Sequence, residues 1–600
     1  LGFALAFPFT STSQTISGFE TFGDNQFQTP ITFFPSLRNQ EKYQLRYDVS
    51  HASGRHAPKF GINFIHEPVL GGAFASSPED LTVFVEDPTY YAGLLQSNEA
   101  EGAAQFTADR TCQPVTIQTG SGSQVVQPTP NTACHSTPAG NGSFSQNVQR
   151  LALYAQDSWR PTPHLTLNYG LRYQTTFGLL EGSGRSQLQN PAFITLQALQ
   201  VPLLNGAPQD DRKQVAPRLG ITYSPGDIGR TVFRAGAGLF YNDLAQNGWG
   251  TALQAVNQPA GPCSLTGTSG NYQLVGSGCI TGGSASTGNV IGSNYKTPYA
   301  VHITAGFQHA FNRHFMASAD YTHEEGYHGY RAYGYTGGQN LLSPLFPPSD
   351  TTDQQNLVPS VNVFNSDSRS TYDALMLHVQ ANTNRFSVVA NYTLSSAKTW
   401  GCVLGELFDY VNGVCNPLDP FGPGDYGPSG EDVTSRFVLG ATLHAPGGIE
   451  VSTLAQAESA RPFTITTADN SGRISVNGVG ESLDEVRGTP YIQVDLRISR
   501  PFKLNDRVVV RPFAEFFNLF NRNNSGANYV TNISLLPVPP NQAQLGNITS
   551  LCLDPACSSV QPIASINQLR VPGGALGDFF GPGTTVGTPF AAQLGVRVSF

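Results

Sequence analysis

Charged residues, methionine and long apolar runs are all scarce in this 600-residue chain, at 12% charged and two Met in total. No stretch of about 18 consecutive apolar residues occurs, so a membrane-spanning helix is excluded by the length that a bilayer demands. Lys and Arg form no block, and the formal net charge is −9, which gives no electrostatic basis for nucleic-acid binding. The chain opens at Leu1, and Leu1 to Phe9 lacks the basic stretch of a secretory signal, as expected of a fragment or processed product. Catalytic signatures are also lacking, and neither an enzyme activity nor a cofactor is expected. Gly236-Ala-Gly238 lies inside a strand pattern with no helix after it, so it reads as relief of crowding rather than a dinucleotide loop.

What the chain has is glycine (63), proline (42) and 10% aromatic residues, a β-rich and turn-rich profile. Its mean hydropathy of −0.20 is no objection to membrane insertion, because a barrel strand alternates apolar and polar faces and averages to near zero. The dominant pattern is a repeated unit: two alternating strands of roughly ten residues around a tight turn, then a long polar segment. The pairs are Lys42–Val49 with Lys59–Ile65, Leu151–Trp159 with Leu165–Tyr173, and Pro217–Tyr223 with Thr231–Tyr241. They continue as Ala300–Phe311 with Phe315–Tyr321, Tyr372–Ala381 with Phe386–Leu394, Arg436–His444 with Ile449–Ala457, and Tyr491–Phe502 with Arg507–Phe517.

A single strand, Phe590 to Phe600, ends the chain, and Leu1 to Phe9 is a candidate sixteenth strand. Strands this long, tight turns on one side and long segments on the other predict an all-β fold. The expected form is an antiparallel transmembrane β-barrel with short periplasmic turns and long extracellular loops. The loops fall at about 68–149, 178–214, 242–298, 327–370, 399–433, 461–489 and 522–588, and loops of this size are where binding function resides.

All eight cysteines lie in those loops, two in each of four: Cys112 and Cys134, Cys263 and Cys279, Cys402 and Cys415, Cys552 and Cys557. The partition predicts local disulfides in an oxidising compartment, with pairing across loops still open; zinc fits less well because no loop offers four familiar ligands. Arg172, Arg234, Asp495, Arg497, Arg511, Glu515 and Arg597 fall on the polar alternate of their strands. They are expected to face the lumen, since charge facing lipid is costly, and to pair with one another or with a plug. Aromatics near strand ends (Tyr154, Trp159, Tyr169, Tyr173, Phe240, Tyr241, Tyr321, Tyr392, Phe516, Phe517 and Phe520) read as interfacial girdles. His323 with His328 is a weak metal candidate. Asp419 to Asp425 with Glu431 and Asp432 has oxygen ligands suited to calcium but not a regular calcium-loop spacing.

Several stretches resemble the TonB-dependent receptors, specifically the large Oar-like barrels. They are Gly54-Arg-His-Ala-Pro-Lys-Phe-Gly61, Tyr154-Ala-Gln-Asp-Ser-Trp159, Leu165-Thr-Leu-Asn-Tyr-Gly-Leu-Arg-Tyr173, Ala216-Pro-Arg-Leu-Gly220 and Arg234-Ala-Gly-Ala-Gly-Leu-Phe-Tyr241. Further along come Ser370-Thr-Tyr-Asp-Ala-Leu375, Ala390-Asn-Tyr-Thr-Leu-Ser395, Asp495-Leu-Arg-Ile-Ser499 and Glu515-Phe-Phe-Asn-Leu-Phe-Asn521. The resemblance implies that residues 1–600 are the C-terminal part of a 22-stranded barrel domain, about 15–16 of its strands, with plug and N-terminal domains absent. It implies TonB-dependent uptake of a bulky, scarce ligand, with no ligand class selected. The implied partners are outer-membrane lipid and lipopolysaccharide, the TonB complex through the missing N-terminal region, the barrel-assembly machinery and an unknown extracellular ligand. A terminal aromatic resembles the assembly signal, a role that falls to Phe600. The rival expectations are a surface adhesion or structural barrel and a passive porin-like channel.

Overall fold

The computed structural model describes residues 41–69 and most of the chain beyond. Residues 1–40, 70–80, 84–87, 136–147, 243–260, 336–360, 403–411, 525–538 and 565–589, with shorter gaps, are outside the described residues. The candidate strand Leu1 to Phe9 therefore lies outside them.

Among the described residues, fifteen long strands run as a meander: β1 (Glu41–Ser50), β2 (Lys59–Val69), β3 (Val148–Thr162), β4 (Leu165–Phe177), β5 (Gln214–Tyr223) and β6 (Thr231–Tyr241). The series continues with β7 (Tyr299–Asn312), β8 (Phe315–Tyr335), β9 (Val361–Asn382), β10 (Phe386–Trp400), β11 (Ser435–Ala445) and β12 (Ile449–Glu458). It ends with β13 (Tyr491–Ser499), β14 (Val509–Phe517) and β15 (Ala591–Ser599). Each pairs antiparallel with the next, and four short strands bring the sheet to 19. Among the described residues β1 and β15 do not pair with each other. All seven expected hairpins and the final strand are present.

The tight turns have local chemical causes. Asn312 Oδ1 accepts the His314 N–H at 2.7 Å, and Asn505 Oδ1 accepts those of Arg507 and Val508 at 2.9 and 2.7 Å, so an Asx turn reverses the chain in both places. Between β11 and β12, Gly447 and Gly448 stand at φ 80° and 74°, where a side chain would be strained.

The long-loop end departs from expectation. The β8–β9 hairpin extends well into the segment 327–370 that was expected to be loop, because Tyr330, Tyr333, Val361, Val363 and Phe364 are buried there. Helices also occur in the expected polar loops, among them α1 (Pro88–Ser97), α2 (Glu99–Thr111) and α3 (Pro191–Ala198). Asn190 caps α3 by accepting the Ala192 N–H at 3.0 Å, with Pro191 in the first turn. Phe193, Leu196 and Leu199 then bury against Val290, Tyr333, Val361 and Val363. Each such side chain contributes about 1.5–3 kcal/mol relative to exposure, enough to hold a helix of eight residues that would not form alone.

Candidate functional site

The strand registers assign every side chain to one of two faces. Arg172 stands opposite Ala216, and Thr222 opposite Arg234, which faces Gly306 and then Asp320. The same row continues through Met376, Thr393, Arg436 and Glu458 to Tyr491 on β13. Asp495 and Arg497 share that face, Arg497 opposes Glu515, and Arg511 opposes Arg597. All seven charged residues singled out in the sequence thus occupy one polar face. The other face carries large exposed apolar groups, among them Leu45, Phe60, Ile62, Leu171, Leu219, Phe233, Phe307 and Leu594. A sheet with one such face is suited to lipid on that side and water on the other.

Most of the charges on the polar face are matched. Arg234 grips Asp320 with two bonds of 2.6 and 2.5 Å, reaching across β7 above Gly306. Arg436 meets Glu458 at 2.9 Å and Arg497 meets Glu515 at 2.9 Å, each directly across a strand pair. Gln593 also donates to Glu515, Arg511 lies 3.7 Å from Glu450, and Asp495 accepts the Asn518 N–H at 2.9 Å. Arg172 differs: its Nε donates to Gln174 Oε1 at 3.0 Å, a neutral partner.

The aromatics divide between the faces. Tyr241, Tyr299 and Tyr327 stand in one register row on the apolar face, with ring centroids 5.4 and 5.2 Å apart, the arrangement of an interfacial girdle. Trp159 stacks on His56 at the tight-turn end, 5.6 Å away. Tyr154, Phe240 and Phe517 fall on the polar face instead, which corrects their assignment to a girdle. Tyr154 donates its hydroxyl to Asp48, and Phe240 lies beneath the Arg218 guanidinium at 4.2 Å. Phe600 is exposed just beyond β15.

At the long-loop end the connecting segments form a cap. Arg331, fully buried, donates from Nε to Asp367 Oδ1 at 2.8 Å and from Nη1 to the Pro420 carbonyl, and its guanidinium covers Phe421 at 4.2 Å. One cation thereby ties the loop 401–434 to the β8–β9 hairpin. Asp210 accepts the N–H groups of Gly178 and Leu180, both at 2.7 Å, and fixes the start of the 178–213 loop. Burial nonetheless pushes its carboxyl above the ordinary carboxylate range.

Three of the four acidic residues considered for calcium are turned to arginines of the next loop, while Asp419 sits in a backbone turn with Asn416 and Gly422. Asp425 pairs with Arg473 at 2.7 Å, Glu431 with Arg461 at 2.5 Å, and Asp432 with Arg487. Arginines 30 to 55 positions away in sequence thus occupy those carboxylates. His323 contacts Asp373 at 2.8 Å and His328 the Ser366 carbonyl at 3.1 Å, so the two histidines serve separate contacts. Among the described residues no group of three or more His, Cys, Asp or Glu is placed to hold a metal.

Disulfides join Cys263 to Cys279, Cys402 to Cys415 and Cys552 to Cys557, with Cα separations of 4.9, 4.8 and 4.8 Å. Each is internal to one loop. Cys112 lies outside the described residues.

A two-faced antiparallel meander with an apolar exterior face and a loop cap defines a membrane β-barrel protein. A family model described as an outer membrane beta barrel domain matches residues 2–483, and the chain belongs to that family. It is an outer-membrane protein. Solved structures to which it is similar include the outer membrane transporter YddB from Escherichia coli, at 13% identity and a TM-score of 0.43 over 82% of this chain and 51% of that one. The FrpB iron transporter from Neisseria meningitidis is 11% identical, with a TM-score of 0.41 over 81% and 51%. A ferric enterobactin receptor (PfeA) mutant from Pseudomonas aeruginosa is 11% identical, with a TM-score of 0.43 over 93% and 54%. The chain spans about half the length of these proteins. No curated protein matches it in sequence.

Proposed function

We propose that the chain is the C-terminal barrel portion of an Oar-like, TonB-dependent receptor that carries a bulky, scarce ligand into the periplasm. The carrying observation is the division of labour in one sheet: an apolar face for lipid, a polar face with paired charges for a water-filled lumen, and a folded cap on the long-loop side. In this reading the cap is extracellular and captures the ligand, and the tight turns face the periplasm. Residues 1–600 supply the wall; the plug and the TonB contact belong to the parent protein. Phe600 serves assembly, and the seven polar-face charges line the passage.

The test is uptake by cells carrying the parent gene, with radiolabelled ferric siderophore, cobalamin, maltooligosaccharide and oligopeptide as probes. Gene deletion and TonB deletion are each expected to abolish uptake of the same probe. Uptake that depends on the gene but survives loss of TonB would rule the reading out in favour of a passive channel.

A further inference from the structure

Among the described residues, three neighbouring cations of the polar face, Lys59, Arg172 and Arg218, make no ion pair with a carboxylate of the kind that Arg234, Arg436 and Arg497 make. Lys59 opposes Gln156, Gln156 opposes Gly170, and Gly170 opposes Arg218. Arg172 stands two positions along β4 from Gly170, on the same face. Together with Arg46 they line a concavity of about 480 Å³. Its floor is low because Gly170 and Gly220 have no side chains to fill it.

Two carboxylates stand at or beside this concavity among the described residues, and both are engaged: Asp157, which lines it from the apolar alternate of β3, by His56 at 2.6 Å and the Tyr169 hydroxyl at 2.9 Å, and Asp48, next to Arg46, by Arg46 at 2.7 Å and the Tyr154 hydroxyl. Arg172 donates to Gln174, and the Arg218 guanidinium covers the face of Phe240 at 4.2 Å. Among the described residues neither guanidinium has a carboxylate partner. Three uncompensated positive charges in one concavity repel one another, and an anion held between them relieves that repulsion. Guanidinium forks suit planar carboxylate and tetrahedral phosphoryl groups, because two parallel N–H donors match two oxygens.

We propose that this concavity is an anion-binding site for a small solute bearing at least two carboxylate or phosphoryl groups. The site lies in the middle of β3 to β5, below the loop cap, so a solute arriving through the cap meets it as an internal station. The proposal rests on the reading of the polar face as an enclosed, wetted lumen, but its test does not require transport.

The 600-residue chain folded in detergent is titrated calorimetrically with citrate and with pyrophosphate at low and high salt. At least one probe is expected to bind, and to bind more weakly as salt rises. The double variant Arg172→Gln with Arg218→Gln should lose about tenfold or more in affinity. Gly220→Leu should lose a similar factor without losing any charge. A Cβ there has no neighbour nearer than 3.8 Å, so the added side chain projects into the concavity and leaves the backbone in place. Arg436→Gln, on the same polar face but six strands away on β11, removes one cation outside the concavity and should bind like the parent chain. Far-UV circular dichroism confirms that each variant keeps its β structure.

Binding that is equal in the double variant overturns the site, and so does failure of both probes to bind the folded parent chain. Hexaglutamate binding in the absence of citrate and pyrophosphate binding also overturns it, in favour of a docking face for an acidic polypeptide. Anion binding that persists in a protein shown not to transport would overturn the uptake reading alone.

Discussion

Gly306→Ala isolates the strand-skipping ion pair of the polar face. A Cβ at position 306 would sit 2.0 Å from Asp320 Oδ1, 2.7 Å from Arg234 Nε and 2.9 Å from Arg234 Cγ. These are side-chain atoms, so the backbone ladder survives and the pair opens instead. The Arg234 and Asp320 side chains are 42% and 27% exposed, and solvent screening holds even this two-bonded pair to about 1 kcal/mol. Replacing glycine by alanine restricts the unfolded chain and returns about 0.5 kcal/mol. The net expectation is a loss of about 0.5 kcal/mol in the parent chain. In an Asp320→Ala background the same change should stabilise by about 0.5 kcal/mol, a coupling of about 1 kcal/mol between the two sites. Urea unfolding of the chain in phospholipid vesicles, followed by tryptophan fluorescence, gives both numbers. A Gly306→Ala effect of the same sign and size in both backgrounds would refute the reasoning.

The cap offers further tests. Arg331→Met leaves Asp367 and the Pro420 carbonyl without their buried cation, at a cost of about 3–5 kcal/mol to the cap, read as faster proteolysis within residues 401–434. Replacing Cys402 and Cys415 by serine frees a loop of sequence separation 13 and should cost the cap about 2–3 kcal/mol. The reporter is Trp400 fluorescence, because that ring packs at 5.0 and 5.2 Å on Phe421 and Tyr426. Asp210 supplies a pH dependence: its folded pKa is raised, so its stabilising contribution is fully present below the unfolded value of about 3.9 and is lost as pH rises through the folded value. The urea midpoint of the cap should fall over that acid range, and Asp210→Asn should flatten the fall.

The strands were legible because one physical rule, alternation between lipid and water, is written into each segment separately. Leu165, Leu167, Tyr169 and Leu171 announce their face without reference to any other strand. The cap was not legible, because the reason Tyr333 and Val361 remain in strands is Phe193 and Leu196, far away in sequence. Asp425, Glu431 and Asp432 suggested a cation for the same reason, since Arg461, Arg473 and Arg487 reach them only through the fold. Polar-face position could be read for Arg172 and Arg234, but partnership could not. Arg234 finds Asp320 two strands away, and only the register shows that glycine lies between them. Arg218 entered only as part of a strand motif, although its place on the polar alternate of β5 was a usable signal.

The three arginine–carboxylate pairs between residues 401–434 and 459–490 have an evolutionary and engineering consequence. Exchanging either segment alone with a related barrel would leave the buried Asp425 and Asp432, or the nearly buried Arg473, without a partner, so the two are expected to transfer as one module. Variation that retunes the mouth of the protein is then expected to arrive in matched sets, with a substitution at Asp425 or Asp432 accompanied by one at Arg473 or Arg487.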